Sequence, residues 1–198
     1  MVVTGLDEAG RGALAGPVVA AAYRFHQSGT RVPGLDDCKK LTPKKREEVY
    51  LRLTQGEMGV WAVGEASVEE IAELNILVAS QMAMRRALEA LPPFEGVILV
   101  DGLPAKHLGR EHMAMVDGDG ICPSISAASV VAKISRDRIL FEFSKYYPVY
   151  GWDRNRGYGT AAHLRALADH GPCPLHRRSF LPVGSPPLPG LEASLGGR

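Results

Sequence analysis

The chain has 198 residues, of which 45% are hydrophobic and 23% are charged, the composition of an ordinary globular protein. This length is enough to bury one sizeable core, so we expect one domain with a small appendage. A formal net charge of +1 excludes a generally basic, histone-like surface. No apolar run approaches the roughly 18 residues of a membrane span, so we expect no membrane contact.

Cysteine usage and the N-terminus bear on the compartment. Cys38, Cys122 and Cys173 are odd in number and scattered, which argues against a disulfide framework and for a reducing environment. The N-terminus carries no basic leader followed by an apolar segment. We therefore expect a cytoplasmic protein.

The first third of the chain predicts three strands and a helix. Residues 2–6 are rich in β-branched side chains and predict a first strand. Residues 17–25 are nearly all apolar, which predicts a second strand buried on both faces. Thr42 and Pro43 are typical of a helix N-cap and first turn, and residues 60–64 predict a short third strand.

The rest of the chain mixes helices with strands. Residues 67–70 form a capping box that opens the longest helical pattern, and residues 96–102 are the clearest strand. Residues 113–116 predict another short strand. A helix rich in small residues is predicted over 124–146, and Thr160 caps a final short helix. This order of elements predicts an α/β fold with a mixed sheet.

Two adjacent acids, Asp7 and Glu8, precede the turn Gly10-Arg11-Gly12. Side chains alternate along a strand, so both acids reach one site only if the chain bends there, as the glycines allow. The simplest interpretation is a solvated strand end. An arginine between two glycines also suits a phosphate or sugar that approaches the backbone closely, and the stretch alone leaves both interpretations open.

Further acids stand at comparable places. Asp101 closes the clearest strand, and Asp119 lies in a glycine-flanked turn after the next one. Sites in α/β sheets assemble at the carboxyl ends of strands. Clustered carboxylates raise one another's pKa, which a divalent cation resolves. Oxygen ligands select Mg²⁺ or Mn²⁺, and two ions ~3.5–4 Å apart would suit phosphoryl-oxygen displacement. Whether these strands are neighbours stays open at this point.

Two other features concern ligands. The spacing of Gly10, Gly12 and Gly16 is one residue longer than that of a dinucleotide-binding fingerprint. Residues 9–35 also lack the acid that would hold a ribose, so a dinucleotide-binding loop is a weak interpretation. Between residues 133 and 178, nine cations face four acids. That excess permits a polyanionic ligand, although a solvated helix face explains much of it.

Several long motifs, in order from Val3 to about Val183, closely resemble those of the ribonuclease HII family. The matching stretches are Gly5–Gly12, Gly16–Ala20, Asp37–Leu41, Leu99–Gly102, Pro123–Lys133, Arg136–Arg138, Gly157–Thr160 and His176–Phe180.

The resemblance implies an RNase H-like mixed sheet flanked by helices, with a helical C-terminal extension. It implies cleavage of the RNA strand of RNA–DNA hybrids and incision of duplex DNA 5′ of embedded ribonucleotides, leaving 5′-phosphate and 3′-hydroxyl ends. We accordingly expect a catalytic domain over 1–145, a helical substrate-binding part over 146–183 and a disordered, Gly/Pro/Ser-rich tail over 184–198. We also expect a monomer.

By motif match, Asp7, Glu8, Asp101 and Asp119 are both the catalytic residues and the ligands of two Mn²⁺ or Mg²⁺ ions. Asp117 lies in a similar turn two residues before Asp119. We favour Asp119 because the family's acid follows a glycine at this place, and Gly118 precedes it.

The resemblance also assigns substrate contacts. The turn Gly10-Arg11-Gly12 contacts the 2′-hydroxyl, the one group that separates RNA from DNA at a given site. Tyr158 supports that contact and stacks on the following deoxyribose. Lys39, Lys40 and Lys133 are expected to bind phosphates. Cys38 departs from the usual serine and puts any contact there in doubt, because a thiol is the weaker hydrogen-bond partner.

Remaining residues have simpler interpretations. We expect Asp137 to be a structural ion-pair partner, and His163 and His176 to be structural or on the substrate side. Cys173 and His176 share zinc-like spacing but lack a second pair. A replication-clamp contact through the tail is an open possibility without a clear docking motif. The rival functions are a non-catalytic nucleic-acid binder and an integrase-like or resolvase-like nuclease.

Overall fold

The computed structural model describes residues 2–35 and 41–184. Five strands form one sheet: β1 (Val3–Ala9), β2 (Val18–Phe25), β3 (Gly59–Ala66), β4 (Val97–Asp101) and β5 (Met113–Met115). Their order across the sheet is β3-β2-β1-β4-β5. Strand β1 is antiparallel to β2 and parallel to β4, which confirms the mixed sheet.

Five helices accompany the sheet: α1 (Pro43–Gln55), α2 (Val68–Glu89), α3 (Pro123–Tyr146), α4 (Trp152–Asn155) and α5 (Ala161–His170). The predicted caps are confirmed. The side chains of Thr42 and Thr160 accept hydrogen bonds at the starts of α1 and α5. Ser67 and Glu70 form the complete capping box of α2. These caps satisfy backbone N–H groups that the first helical turn leaves free.

Two elements differ from the sequence-based expectation. Strand β1 extends to Ala9, so Asp7 and Glu8 lie within the strand rather than after it. Helix α2 is interrupted at Asn75, whose φ of 66° is left-handed. The Asn75 side chain accepts hydrogen bonds from the N–H groups of Leu77 and Val78 and so caps a second helical segment. Apolar spacing continues on both sides of Asn75, which hides the break in the sequence.

Each face of the sheet has its own apolar core. Helix α2 packs on one face, where Leu6 and Val100 meet Ile71 and Met84. Helices α1 and α3 cover the other face. On that second face α3 lies directly against the sheet. The two backbones are so close at Gly5 that a Cβ there would overlap the backbone of Ser124.

A third apolar cluster joins the end of α3 to the C-terminal part. It contains Leu140, Tyr150, Trp152 and Cys173. The predicted tail lies, apart from Gly184, outside the described residues. Within residues 2–35 and 41–184, no helix is both long enough and apolar enough to cross a bilayer.

The close approach of Gly5 to the backbone of Ser124 leads to a prediction about stability. Gly5→Ala should lower the free energy of unfolding by about 2 kcal/mol or more, since neither the strand nor the helix backbone can yield cheaply. Gly120→Ala is the matched control, because a Cβ at Gly120 meets nothing within 4 Å. Urea unfolding of both variants measures the difference, and equal stabilities would contradict the packing described here.

Candidate active site

Strand pairing brings two of the predicted acids together. The parallel register of β1 and β4 pairs Leu6 with Val100, so the next residues, Asp7 and Asp101, lie side by side. Asp7 faces α3, where the Ser129 side chain hydrogen-bonds to its carboxylate. The backbone N–H of Glu8 donates to Oδ1 of Asp7 at 2.6 Å. The two strands, whose adjacency the sequence left open, are therefore neighbours.

The surroundings of Asp7 disfavour its charge. Its side chain is 7% exposed. Burial, helped by the charges of Glu8 and Asp101, raises the pKa of Asp7 to about 8, although the Ser129 hydrogen bond opposes the shift. Burial also raises the pKa of Glu8, against the effect of Arg11, whose Nη1 lies 3.0 Å from Oε1 of Glu8.

A short 3₁₀ turn at Gly118–Gly120 is fixed on Asp101. Oδ1 of Asp101 accepts hydrogen bonds from the N–H groups of Gly118 at 2.8 Å and Asp119 at 3.4 Å. Asp119 is 4% exposed, whereas Asp117 is exposed and has a left-handed φ of 53°. This difference supports the preference for Asp119 over Asp117 as the fourth acid.

A groove next to the acids collects most of the predicted substrate residues. Its walls include Glu8, the turn Gly10-Arg11-Gly12, Lys133 and Tyr158. Tyr158 is 36% exposed, and Nζ of Lys133 lies 5.5 Å from the centre of its ring. Lys39 and Lys40, together with Cys38, lie outside the described residues.

Arg46 and Ser129 also line this groove and were not singled out from the sequence. Ser129 belongs to a run of small residues that reads as helix packing, and Arg46 is one of several cations in α1. Neither carries a signal of its own. The helical spacing of Ser129 and Lys133, four residues apart on α3, was the available indication that both face one site.

Two buried arginines lie against the glycine turn and the residues that follow it. Arg136 donates to the carbonyl groups of Ala15, Pro17 and Arg156, at 2.9–3.0 Å. Gly10 has a φ of 92°, and a Cβ there would overlap the Arg136 side chain, so this position requires glycine.

Arg177 supports the turn from its other side. Its Nε donates to the carbonyl of Gly16 and its Nη1 to the carbonyl of Arg11, each at 2.9 Å. Burial and the nearby charge of Arg136 lower the pKa of Arg177 to about 9. The turn therefore rests on two buried side chains that lie far from it in sequence.

Asp137 is confirmed as an ion-pair partner. Its carboxylate lies 2.8 Å from Nζ of Lys133 and 3.8 Å from Nε of Arg156. These partners are not the arginines adjacent to it in sequence. Asp137 thus joins α3 to the segment that carries Tyr158.

The donor set fits a hard divalent cation. All four acids offer oxygen ligands, and the buried Asp7 needs a counter-charge to ionise at neutral pH. Among the residues that the structure describes, no three His, Cys, Asp or Glu side chains are already arranged around a common ion position.

Comparison with known proteins shows which family the chain matches. The profile of the Ribonuclease HII family matches residues 4–183. Ribonuclease HII of Paraburkholderia xenovorans strain LB400 is 49% identical over 182 residues, which cover 92% of this chain and 73% of that protein.

Solved structures agree with the sequence match. Ribonuclease H2 from Pyrococcus horikoshii OT3 has a TM-score of 0.77 and 26% identity, covering 93% of this chain and 96% of that one. Bst-RNase HIII, crystallised in complex with Mn²⁺, has a TM-score of 0.58 and 16% identity, covering 85% and 70% of the two chains.

The fold is therefore RNase H-like, with a helical C-terminal region, and the protein is an endoribonuclease of the RNase H type. Within that class, the chain belongs to the ribonuclease HII family.

The raised pKa of Asp7 predicts how stability depends on pH without metal. Between the ordinary value of 3.8 and about 8, the folded protein holds a proton at Asp7 that the unfolded chain releases. Stability is therefore lost as the pH rises through this window. Asp7→Asn carries no titrating group at this position and so lacks this loss of stability. With EDTA present, raising the pH from acidic values to about 8 should therefore destabilise the unmodified protein by about 1 kcal/mol or more relative to Asp7→Asn.

Urea unfolding at several pH values measures this difference. Asp169→Asn, at an exposed position in α5, is the control and should show no such trend. A difference between Asp7→Asn and the unmodified protein that stays constant with pH would contradict the raised pKa.

Proposed function

We propose that this enzyme cleaves the RNA strand of RNA–DNA hybrids and incises duplex DNA 5′ of embedded ribonucleotides, leaving 5′-phosphate and 3′-hydroxyl ends. The observation that carries the proposal is the side-by-side placement of Asp7 and Asp101 next to a groove that holds Gly10-Arg11-Gly12 and Tyr158. Carboxylates alone would repel a nucleic acid, so their place beside a cationic groove points to chemistry rather than to binding alone.

Asp7, Glu8, Asp101 and Asp119 are the residues that would hold Mn²⁺ or Mg²⁺, with two ions during catalysis. Bound there, the metal would lower the pKa of a water and stabilise the leaving 3′ oxygen. Asp7 would bind the metal in its ionised form, with the Ser129 hydroxyl hydrogen-bonding to one of its carboxylate oxygens. The Mn²⁺ complex of Bst-RNase HIII supports manganese as one of the accepted ions.

The substrate's ribose would be selected by the Gly10-Arg11-Gly12 turn. A backbone without side-chain bulk at these glycines lets peptide groups reach a 2′-hydroxyl, which a deoxyribose lacks. Tyr158 would stack on the next sugar, and its half-exposed ring stands beside the same turn. Arg136 joins the segments next to both parts, because it packs against Gly10 and donates to the carbonyls of Ala15 and Arg156.

Phosphate contacts would come from cations around the groove. Lys133 and Arg46 line it, and Lys39 and Lys40 remain predictions from the sequence. Each such cation would add sequence-independent affinity that falls with salt. A monomeric state and a cytoplasmic location also stay predictions.

The first activity test uses duplex DNA with one embedded ribonucleotide. With Mn²⁺ or Mg²⁺ the enzyme should cut 5′ of the ribonucleotide and leave an all-DNA duplex intact. Asp7→Asn and Asp101→Asn should each slow incision by about a hundredfold or more, because each loses several kcal/mol of charge stabilisation. Gel analysis of labelled strands gives the rates and the cleavage position.

Asp117→Asn is the matched control, since Asp117 is exposed beside the buried Asp119, and it should keep nearly full activity. No incision by the unmodified enzyme, or incision that survives both active-site substitutions, would reject the proposed function. Cutting of the all-DNA duplex would indicate an integrase-like nuclease instead.

The second test concerns site selection. Tyr158→Ala should lower the preference for an RNA-to-DNA junction over a continuous RNA strand by about tenfold. Stacking of a base on an aromatic ring is worth about 1–3 kcal/mol, and we expect the sugar contact to lie at the low end of that range. Tyr146→Ala, at a position 79% exposed near the end of α3, is the control. Unchanged junction preference in Tyr158→Ala would remove Tyr158 from this role.

A further inference from the structure

A chain of buried rings lies beneath the segment that carries Tyr158. Nδ1 of His163 is 2.9 Å from the carbonyl oxygen of Tyr158, and Nε2 of His163 is 3.0 Å from Nε2 of His176. Nε1 of Trp152 is 3.2 Å from Nε2 of His163. The other end of the chain is the N–H of Cys173, 3.1 Å from Nδ1 of His176. Both histidines are at most 1% exposed.

Each hydrogen bond fixes the next one. The Cys173 N–H can only donate, so Nδ1 of His176 accepts and carries no proton. Neutral His176 then has its proton on Nε2, which donates to Nε2 of His163. Trp152 can only donate as well, and it donates to the same nitrogen. Nε2 of His163 is therefore unprotonated, which leaves the proton on Nδ1 to be donated to the carbonyl of Tyr158.

Both histidines must be neutral for this arrangement, because two protonated Nε2 atoms cannot share a 3.0 Å contact. Their environment agrees with that requirement. Burial lowers the pKa of both, and the pKa of His176 falls to about 4. The rings also pack on one another, with Tyr150 edge-on to His176 at 4.5 Å between ring centres.

The chain of rings ends at a segment whose backbone makes several further hydrogen bonds. The carbonyl of Tyr158 also accepts from the N–H of Thr160 at 2.8 Å, and the Tyr158 N–H donates to the carbonyl of Asn155 at 2.9 Å. The preceding residue, Gly157, accepts from the N–H of Leu14 at 2.8 Å. His163 therefore holds the same short segment that is joined to the glycine turn.

We propose that His163, oriented by His176 and Trp152, is a positioning residue for junction selection: its Nδ1–H holds the carbonyl of Tyr158 so that the ring stands beside the Gly10-Arg11-Gly12 turn. The proposal rests on the proposed function of Tyr158. It assigns His176, which shares a zinc-like spacing with Cys173, to hydrogen bonding.

The tautomers of the unmodified protein give a test that does not depend on activity. NMR of the ring nitrogens in nitrogen-labelled protein distinguishes protonated from unprotonated positions. We expect His163 to be neutral with its proton on Nδ1 and His176 to be neutral with its proton on Nε2. A cationic ring, or the opposite tautomer at His163, would overturn the proposal. Spectra of His163→Asn and His176→Asn assign the signals.

A pair of variants tests the consequence for site selection. Asparagine carries an N–H donor at the position of Nδ1, so His163→Asn can still reach the carbonyl of Tyr158. Glutamine places its amide at the position of Nε2 and cannot. His163→Gln should lower junction preference by about tenfold, or about 1.4 kcal/mol. His163→Asn should retain most of the preference.

Cleavage of a continuous RNA strand in a hybrid is measured beside the junction substrate. A merely structural role would lower both rates together and leave their ratio unchanged, which would overturn the proposal. His170→Gln and His170→Asn, at an exposed position of the same helix, are controls and should behave like the unmodified enzyme. Should the unmodified enzyme fail to incise, the proposed function fails, and the NMR tautomers still decide the hydrogen-bond chain.

Discussion

Parallel pairing of β1 with β4 is the constraint on which the active site depends. The register fixes Asp7 beside Asp101, and the antiparallel neighbour β2 holds the other side of β1. A slip of one residue would move Asp7 to the opposite face of the sheet, since strand side chains alternate. The backbone pairing of the two strands thus positions the carboxyl groups of Asp7 and Asp101 next to each other.

Helix α3 connects the carboxylates to the substrate groove. Its small N-terminal residues let it lie against β1 at Gly5, and this close contact brings the helix within reach of each part of the site. Side chains of α3, at spacings of two to four residues, contact several parts of the site. They reach the carbonyls of Val3 and Asp119, the carboxylate of Asp7 and the ring of Tyr158. They also reach the carbonyls of Ala15, Pro17 and Arg156. One rigid element therefore sets the distance between the acids and the glycine turn.

The sequence predicted most of the fold because local signals were strong: capping residues at 42, 67 and 160, and apolar strands at 18–25 and 97–101. The break at Asn75 was missed since the apolar spacing continues across it. Motif resemblance named the acids and Tyr158, whereas the support from Arg136 depends on contacts between residues more than 100 positions apart, which no local pattern reveals. The histidine chain was missed because its contacts, 3 to 13 positions apart, come from different segments and follow no helical or strand spacing. The expected structural or substrate-side role of these histidines stays a prediction.

The hold of Arg177 on the glycine turn has a consequence for synthesis. Its bonds to Gly16 and Arg11 span 161 and 166 residues, among the longest connections in the protein. Contacts between residues this far apart in sequence form late in folding, because closing the long intervening loop costs conformational entropy. A growing chain carries all four acids well before Arg177 leaves the ribosome. Until then the turn proposed to discriminate RNA from DNA lacks its hydrogen bond from Arg177, so any ribose discrimination would mature only after residue 177 has been made.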